Sequence, residues 1–420
     1  MPRIPNDRMP DSTMTLMLEG YNFISDRCRR FDSDLFETRL LLRKTICMTG
    51  PEAAELFYDS ERFQRQGAAP QRLLKTFFGA PGVQGLDGEA HRHRKRMFMS
   101  LMTPEAISRL TELTSKSWLA DIGEWEGHKE LVLFDHVRRV LCRAVCEWAG
   151  VPLPEEDVER RADEFEAMVD GSGGMGLRYR RGVRARKTTE EWIEGIIEQV
   201  RGGALRPPED GALSRIARHH DPEGKLLDPR VAAVEVINIL RPTVAVSRYV
   251  VFAALALHRH PEYRGILQAG GEDDLENFVH EVRRFYPFFP FVAARVRKSF
   301  EWKGYSFPEG RRVLLDLYGT NHDPRTWETP QEFRPERFRR WNKSAWNFLP
   351  QGGGDHYENH RCAGEWITIE LMKTAVRHLC RSMTYEVPMQ NLQIRFSRIP
   401  AIPESRFVIA NVKRCPDPAP

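Results

Sequence analysis

Paired cysteines, long apolar runs and a strong excess of one charge are all missing from this 420-residue chain. Its seven cysteines are Cys28, Cys47, Cys142, Cys146, Cys362, Cys380 and Cys415. They include no CxxC pair, and their odd number and wide scatter argue against a disulfide framework or a zinc site. The pattern favours a reducing, cytoplasmic compartment.

The longest apolar run, Val250 to Leu257, is far too short to cross a bilayer, and the N-terminus has no signal-peptide core. We therefore expect no membrane anchor. A formal net charge of +4 is too weak to predict a nucleic-acid partner. Hydrophobic residues make up 41% of the chain and charged residues 29%, which is typical of a soluble globular protein.

Helical periodicity dominates to about residue 260, whereas the stretch from Val292 to Leu317 alternates as strands do. The pattern predicts a mainly α protein with a smaller β part (α+β). With no clear linker and no repeat, we expect one domain over 1–420, with a loose arm at 1–15. Local predictions are a strand over 38–49 and helices over 51–59 and 90–102.

The strongest indication of a cofactor-binding or catalytic site lies between Phe348 and Met372. Gly352, Gly353 and Gly354 allow a tight backbone turn, and a helical pattern follows Cys362. A cysteine just before a helix N-terminus is favoured as a thiolate, and a thiolate can be the single axial ligand of a heme iron. The alternative is a buried structural cysteine, which is common for a free thiol.

A second unusual feature is an arginine inside an apolar helix. Asp228-Pro229 is a strong helix start, and the apolar pattern runs to about residue 260. Arg241 stands in its middle, and Pro242 should kink the helix there. A buried guanidinium needs a partner, which is either an internal carboxylate such as Glu235 or the carboxylate of a substrate.

Six basic residues crowd the segment 178–187, RYRRGVRARK. We interpret this segment as the solvated face of a helix, with an electrostatic patch as the alternative.

Four features follow one another along the chain in an order that is informative. After the long helix come Glu281-x-x-Arg284, the PERF-type segment with Arg337, and Cys362-x-Gly364. This ordered set resembles the cytochrome P-450 superfamily. The resemblance implies a cytochrome P-450 fold with heme b between the long central helix and the Cys362 loop. It also implies an ion-pair triad of Glu281, Arg284 and Arg337.

Two departures resemble one branch of that superfamily. Arg241-Pro242-Thr243 stands where an acid–alcohol pair is usual, and GGGDHYENH lengthens the heme loop. Both features are similar to the bacterial fatty-acid peroxygenases, which use hydrogen peroxide to hydroxylate long-chain fatty acids near the carboxyl end and need no redox partner. The resemblance implies that Arg241 and Pro242 are catalytic positions and that Arg241 binds the substrate carboxylate, which then acts as general acid and base.

Further roles follow from the same resemblance. Gln84 matches a position above the heme near the reacting carbons; members with histidine there tend towards decarboxylation to terminal alkenes. His91 and Lys95, on one helix face, and Arg65 are candidates for binding the heme propionates.

The acyl channel has three candidate aromatic residues: Phe78, Phe288 and Phe291. Aromatic residues at such spacing also occur as plain core. Two other functions stay open: a dioxygen- and reductase-dependent monooxygenase, and a non-enzymatic protein that binds heme and fatty acid.

Overall fold

The computed structural model describes residues 3–415. Its helices are α1 (Thr13–Glu19), α2 (Phe23–Phe31), α3 (Pro51–Phe57), α4 (Gln71–Leu73), α5 (Gly88–Met99), α6 (Pro104–Trp125), α7 (Leu133–Ala149), α8 (Val158–Ser172), α9 (Gly176–Arg201), α10 (Ala212–Ala217), α11 (Pro229–Ala245), α12 (Ser247–Arg259), α13 (Glu262–Ala269), α14 (Glu272–Phe285), α15 (Leu317–Asn321) and α16 (Glu365–Arg377). The predicted helices over 51–59 and 90–102 correspond to α3 and α5.

The strands are β1 (Leu35–Leu40), β2 (Arg43–Met48), β3 (Phe63–Gln64), β4 (Glu130–Val132), β5 (Phe291–Val296), β6 (Phe300–Trp302), β7 (Tyr305–Phe307), β8 (Arg312–Asp316), β9 (Met383–Glu386) and β10 (Val408–Arg414). They form a five-stranded sheet in the order β1-β2-β8-β5-β3, a three-stranded sheet β4-β10-β9, and the hairpin β6-β7. In the larger sheet β2 pairs with β8 in parallel, and its other pairs are antiparallel. The mainly α architecture with a smaller β part is thus confirmed.

The predicted strand over 38–49 is wrong, because two strands and a tight turn occupy this region. Leu41 and Leu42 have φ angles of 52° and 60°, which let β1 and β2 pair as a hairpin. Such a turn normally carries asparagine and glycine, because both central residues need positive φ. Two leucines carry no turn signal, so the sequence reads as one continuous strand.

Residues 3–15 lie against the rest of the protein, so over these residues the expected loose arm is not found. Asn6 forms a parallel bridge with Glu37 at the edge of the large sheet. Asp7 is 7% exposed and accepts a hydrogen bond from Arg27 Nε at 2.6 Å. The ion pair joins the segment to α2, a contact that local composition does not reveal.

The long apolar helix is present as α11 and α12, with a one-residue interruption at Val246. Pro242 lies within α11, so the break comes four residues after the proline. Within the described residues, one helical segment, Pro229–Arg259, is long and apolar enough to cross a membrane, but 94% of its most apolar window is buried inside the protein. We therefore interpret α11 and α12 as the central core helix.

The predicted ion-pair triad is confirmed at the end of α14. Glu281 receives two hydrogen bonds from Arg284, at 2.7 Å and 2.8 Å. Arg337 Nε adds a third at 3.2 Å. The Glu281 and Arg284 side chains are fully buried, and Arg284 also donates to the carbonyls of Asn321 and Pro330. The triad therefore fastens α14 to the segment that leads towards Cys362.

Candidate active site

Cys362 lies three residues before Glu365, the first residue of α16, as the sequence predicts. Its sulfur accepts a hydrogen bond from Gln351 Nε2 at 3.5 Å, and its backbone N–H donates to the Gln351 carbonyl at 3.1 Å. Burial raises the pKa of the Cys362 thiol, while Lys95 and the donors from Gly364 and Gln351 lower it. The helix N-terminus alone therefore does not secure a thiolate; coordination to a metal would, because a metal-bound thiol is deprotonated.

Three predicted cofactor ligands lie near this loop. Lys95 is 4% exposed and donates to the carbonyls of Asn359 and Arg361. His91 stacks on His360 with ring centroids 3.8 Å apart. Burial lowers the pKa of Lys95 to about 8 and that of His91 to about 4.

Arg65 approaches the same region from another segment of the chain. Its guanidinium lies 4.2 Å from the centroid of the Phe57 ring, and Nη1 donates to the Ala293 carbonyl at 3.0 Å. The charge of Arg65 also lowers the pKa values of His91 and His360, so these three side chains lie close together.

Arg241 is 2% exposed, and over residues 3–415 no carboxylate pairs with it. Its Nη1 donates to the Phe77 carbonyl, its guanidinium lies 3.8 Å from the centroid of the Phe77 ring, and its Nε is buried without a partner. Burial lowers its pKa well below the usual range, and Arg186 lowers it further. The charge of Cys362 acts in the opposite direction, so α11 faces the cysteine loop.

Glu235, the internal partner considered for Arg241, is engaged elsewhere. It is fully buried and accepts a hydrogen bond from Arg94 Nη1 at 2.6 Å. Its other oxygen accepts from Asn238 Nδ2 at 2.9 Å. Burial raises the pKa of Glu235, whereas the Arg94 charge lowers it. Arg241 is therefore left free for a carboxylate from outside the protein.

Gln84 lies in the short turn Val83–Gly85 and accepts a hydrogen bond from Asn238 Nδ2 at 3.3 Å.

A polar stripe runs along one side of α11. It consists of three residues at intervals of three: Glu235, Asn238 and Arg241. The stripe faces residues 74–85, which we call the 74–85 loop. Asn238 was missed by sequence reasoning; its signal was its spacing between two other polar residues in an apolar helix.

Two of the three aromatic residues predicted for the acyl channel, Phe78 and Phe288, lie on the Arg241 side of the protein. Phe78 lies on the 74–85 loop and contacts Phe77 edge to face at 5.1 Å. Phe288 is 8% exposed and packs against Tyr249 at 4.8 Å. Phe291 instead joins a separate cluster around Phe36 on the β1–β2 side, so the structure does not bring it together with Arg241.

Phe289, rather than Phe291, is the residue that contacts Phe77 beside Arg241. Its ring centroid lies 5.6 Å from that of Phe77 and 4.4 Å from that of Phe288. It also packs against both large hydrophobic clusters of the core. Phe289 lies in the irregular segment just before β5, two residues ahead of Phe291, so the alternation of side chains within the strand does not fix its direction.

Arg186 is the second functional residue that sequence reasoning missed. It belongs to the basic segment 178–187, which was interpreted as solvated, yet it is only 3% exposed. Its Nη1 donates to the Phe77 carbonyl at 3.1 Å, the same oxygen that Arg241 uses.

The residues fit a heme held by one thiolate. Cys362 has a partly accessible sulfur, Lys95, His91 and Arg65 supply cationic or neutral donors for propionates, and α11 covers the opposite side. Within residues 3–415 no group of three or more histidine, cysteine, aspartate or glutamate side chains could hold a metal ion by itself. An iron that brings its own equatorial ligands and needs one axial sulfur matches this donor set.

Comparison with known proteins places the chain among close relatives. The cytochrome P-450 family model matches residues 275–405. The structure of cytochrome P-450SP alpha in complex with (R)-ibuprofen is 50% identical, with a TM-score of 0.95 over 96% of this chain and 99% of that chain. Cytochrome P-450EX alpha with myristic acid is 47% identical, with a TM-score of 0.95 over 98% and 99%. A variant of cytochrome P-450 OleT with arachidonic acid is 36% identical, with a TM-score of 0.95 over 99% and 100%.

Proposed function

This chain belongs to the cytochrome P-450 family, in the branch of the fatty-acid peroxygenases, and we propose that it uses hydrogen peroxide to hydroxylate long-chain fatty acids at C2 or C3. The cofactor is heme b with Cys362 as the axial ligand of the iron. The co-substrates are a fatty acid and peroxide, so the reaction needs no redox partner, and the cysteine pattern supports a cytoplasmic location. Some decarboxylation to a terminal alkene accompanies hydroxylation.

The observation that carries this proposal is the unpaired, buried guanidinium of Arg241. A guanidinium fork binds a carboxylate through two charge-assisted hydrogen bonds, which are stronger than bonds between neutral groups. Arg241 has a free Nε and spends one donor on a neutral carbonyl, so it can take a carboxylate without breaking an ion pair. The three relatives described above were each solved with a monocarboxylic acid.

The bound carboxylate supplies what the helix lacks. Activation of hydrogen peroxide requires that one proton move from one oxygen to the other, which is general acid–base work. In α11 the stretch Arg241-Pro242-Thr243 offers no acid, and the Thr243 hydroxyl is committed to the Ile239 carbonyl at 2.8 Å. The fatty-acid carboxylate held by Arg241 accepts and returns that proton. Binding of the substrate therefore completes the catalytic site.

A heme held by Cys362 would supply the oxidising chemistry that transfers one oxygen from peroxide to carbon. The protein determines which carbon reacts. Arg241 fixes the carboxyl end, Phe78 and Phe288 line the acyl path, and the Gln84 amide, oriented by Asn238, lies beside the first carbons. Because the carboxyl end is tethered, C2 and C3 are the carbons within reach.

One assay tests the proposal. Purified ferric protein is incubated with a long-chain fatty acid and hydrogen peroxide, without reductase, and the products are separated by gas chromatography. We expect 2- or 3-hydroxy acid and one water per turnover. A product that appears only with a reductase and dioxygen would instead identify a monooxygenase. Fatty-acid binding without any turnover would identify a carrier or sensor.

A further inference from the structure

Arg186 lies on α9, far in sequence from the Arg241 site but in contact with the same loop. It is buried within a basic segment whose neighbours Arg184 and Lys187 are exposed. Burial lowers the pKa of Arg186, and Glu190 opposes that shift. Burying a guanidinium is costly, so this position needs a reason that a solvated helix face does not supply.

The Phe77 carbonyl is shared by two guanidinium groups. Arg186 Nη1 donates to it from α9 at 3.1 Å, and Arg241 Nη1 donates to it from α11. A carbonyl oxygen has two lone pairs, so it can accept both bonds. A carboxylate is a stronger acceptor than a carbonyl, so a bound fatty acid not only engages the free Nε of Arg241 but also competes with the Phe77 carbonyl for Nη1. Arg186 then remains as the bond that holds the loop.

The loop is shaped around the Arg186 side chain. Gly79 has a φ of 75°, and a Cβ there would collide with the Arg186 guanidinium. On the opposite side, Arg186 Nε donates to Glu190, which is 8% exposed and also lies 3.4 Å from Arg230. The guanidinium therefore joins a fixed helix to the loop that carries Phe78 and Gln84.

The charges around this carbonyl do not balance without substrate. Arg186 and Arg241 are both buried; Glu190 is the carboxylate that pairs with Arg186, and Glu235, whose charge also acts on Arg186, is already paired with Arg94. Arg186 Nη2 and Arg241 Nε are both buried without a partner. One further negative charge would balance the site.

We propose that Arg186 is a positioning residue of the carboxylate site, which keeps the 74–85 loop in place when Arg241 binds the substrate and adds a second positive charge that favours acids. The inference rests on the proposed function, because it assigns Arg186 a role in selecting the carbon that is hydroxylated. The positive charge of Arg186 raises the affinity for a carboxylic acid, and the planar geometry of its guanidinium fixes the positions of Phe78 and Gln84.

The test compares Arg186→Met and Arg186→Lys with Arg184→Met, a control on the exposed face of the same helix. Dissociation constants of a fatty acid and of the fatty alcohol of equal length are measured by difference spectroscopy. In Arg186→Met we expect the acid to bind roughly tenfold more weakly, because one nearby positive charge is lost, and the alcohol to change less than about twofold. Arg186→Lys should keep the acid within about threefold of wild type, because the charge remains.

The ratio of C2 to C3 products should separate geometry from charge. A lysine ammonium cannot hold Glu190 and Phe77 in one planar fork, so both Arg186 variants should change the ratio, whereas Arg184→Met should not. If the heme-loaded fraction of Arg186→Met keeps wild-type affinity and product ratio and loses only thermal stability, Arg186 is merely structural and the proposal fails.

Two further arms keep the test decisive. Glu190→Gln leaves Arg186 in place but removes the carboxylate that holds its Nε. If Arg186→Met does not fold, a changed product ratio in Glu190→Gln without a loss of acid affinity supports the proposal. An unchanged ratio overturns it. If wild type forms no hydroxy acid with peroxide, the proposed function fails, and the comparison of acid with alcohol still decides whether Arg186 favours carboxylates.

Discussion

Replacing Arg241 with methionine should remove most of the affinity for fatty acids while leaving the substrate-free protein at least as stable as before. The two effects have one cause. Arg241 is 2% exposed and, over the described residues, has no carboxylate partner, so the folded protein bears the cost of a desolvated cation that only substrate relieves. Methionine keeps an apolar stem of similar length and brings no charge.

The size of each effect follows from the contacts. A hydrogen bond to a charged group contributes about 1.5–3 kcal/mol, so loss of the carboxylate contact should weaken binding about tenfold to a hundredfold. The free energy of unfolding should stay unchanged or rise by up to about 2 kcal/mol, because an unpaired buried charge is removed. The Phe77 carbonyl keeps its bond from Arg186, so the substitution leaves no orphaned acceptor.

Arg94→Met is the matched control, because Arg94 is also a buried arginine but has an internal partner. Its removal leaves Glu235 buried without its cation, which should cost about 3–5 kcal/mol. Thermal unfolding of substrate-free protein and difference spectroscopy with a fatty acid measure both quantities. If Arg241→Met destabilises the protein as much as Arg94→Met does, Arg241 is a structural cation and the reasoning is refuted.

A rescue experiment separates the anchoring role of Arg241 from proton transfer. Wild-type enzyme is given peroxide, a substrate without a carboxyl group, and a short carboxylic acid that can occupy the Arg241 site. Oxidation should require the short acid, and Arg241→Met should abolish the rescue. Equal oxidation without any carboxylate would show that a protein acid moves the proton.

Three other substitutions test the remaining assignments. Cys362→Ser should lose the thiolate-type Soret band of the ferrous–carbon monoxide complex, and retention of that band would disprove the axial assignment. Glu281→Ala should destabilise the fold by about 3–5 kcal/mol and lower soluble yield or heme content, since it leaves two buried arginines unpaired; a folded, heme-loaded but inactive variant would contradict a structural role. Wild-type enzyme should give mainly hydroxy acid and Gln84→His more terminal alkene, because histidine exchanges a proton near neutral pH and an amide does not; mainly alkene from wild type would contradict this.

The parts of the site that could be predicted are those that local sequence determines. A glycine-rich turn before a helical pattern placed Cys362, and an arginine among apolar residues identified Arg241. The ordered motifs predicted the pairing of Glu281 with Arg284 and Arg337. In each case either the spacing within one element or the order of the motifs carried the information.

The missed parts depend on contacts between distant segments. Asn238 and Gln84 are 154 residues apart, and nothing near either one announces the other. Arg186 has basic neighbours that are exposed, so composition indicated solvent, whereas its helical phase turns it inward. Phe291 was expected in the channel, but Phe289 is the residue that contacts Phe77; it lies in the irregular segment before β5, where no strand periodicity predicts the direction of a side chain.

The polar stripe on α11 supports the proposal that a single position of the central helix, Arg241, binds the substrate. Glu235 is satisfied by Arg94 and Asn238, so it is closed to ligands. Asn238 spends its amide N–H donors on Glu235 and Gln84 and keeps one oxygen without a partner. Arg241, about 4.5 Å further along the helix than Asn238, makes its one side-chain hydrogen bond within the described residues to a carbonyl that it shares with Arg186. The pairing of polar groups is thus complete at Glu235 and least complete at Arg241, the cation that interacts with Cys362.

A ligand that brings one carboxylate and a long apolar chain pairs the Arg241 charge without disturbing Glu235 or Asn238. A ligand without a carboxylate leaves Arg241 desolvated and unpaired. The free-energy cost of this unpaired buried charge is therefore what discriminates against ligands that are not acids.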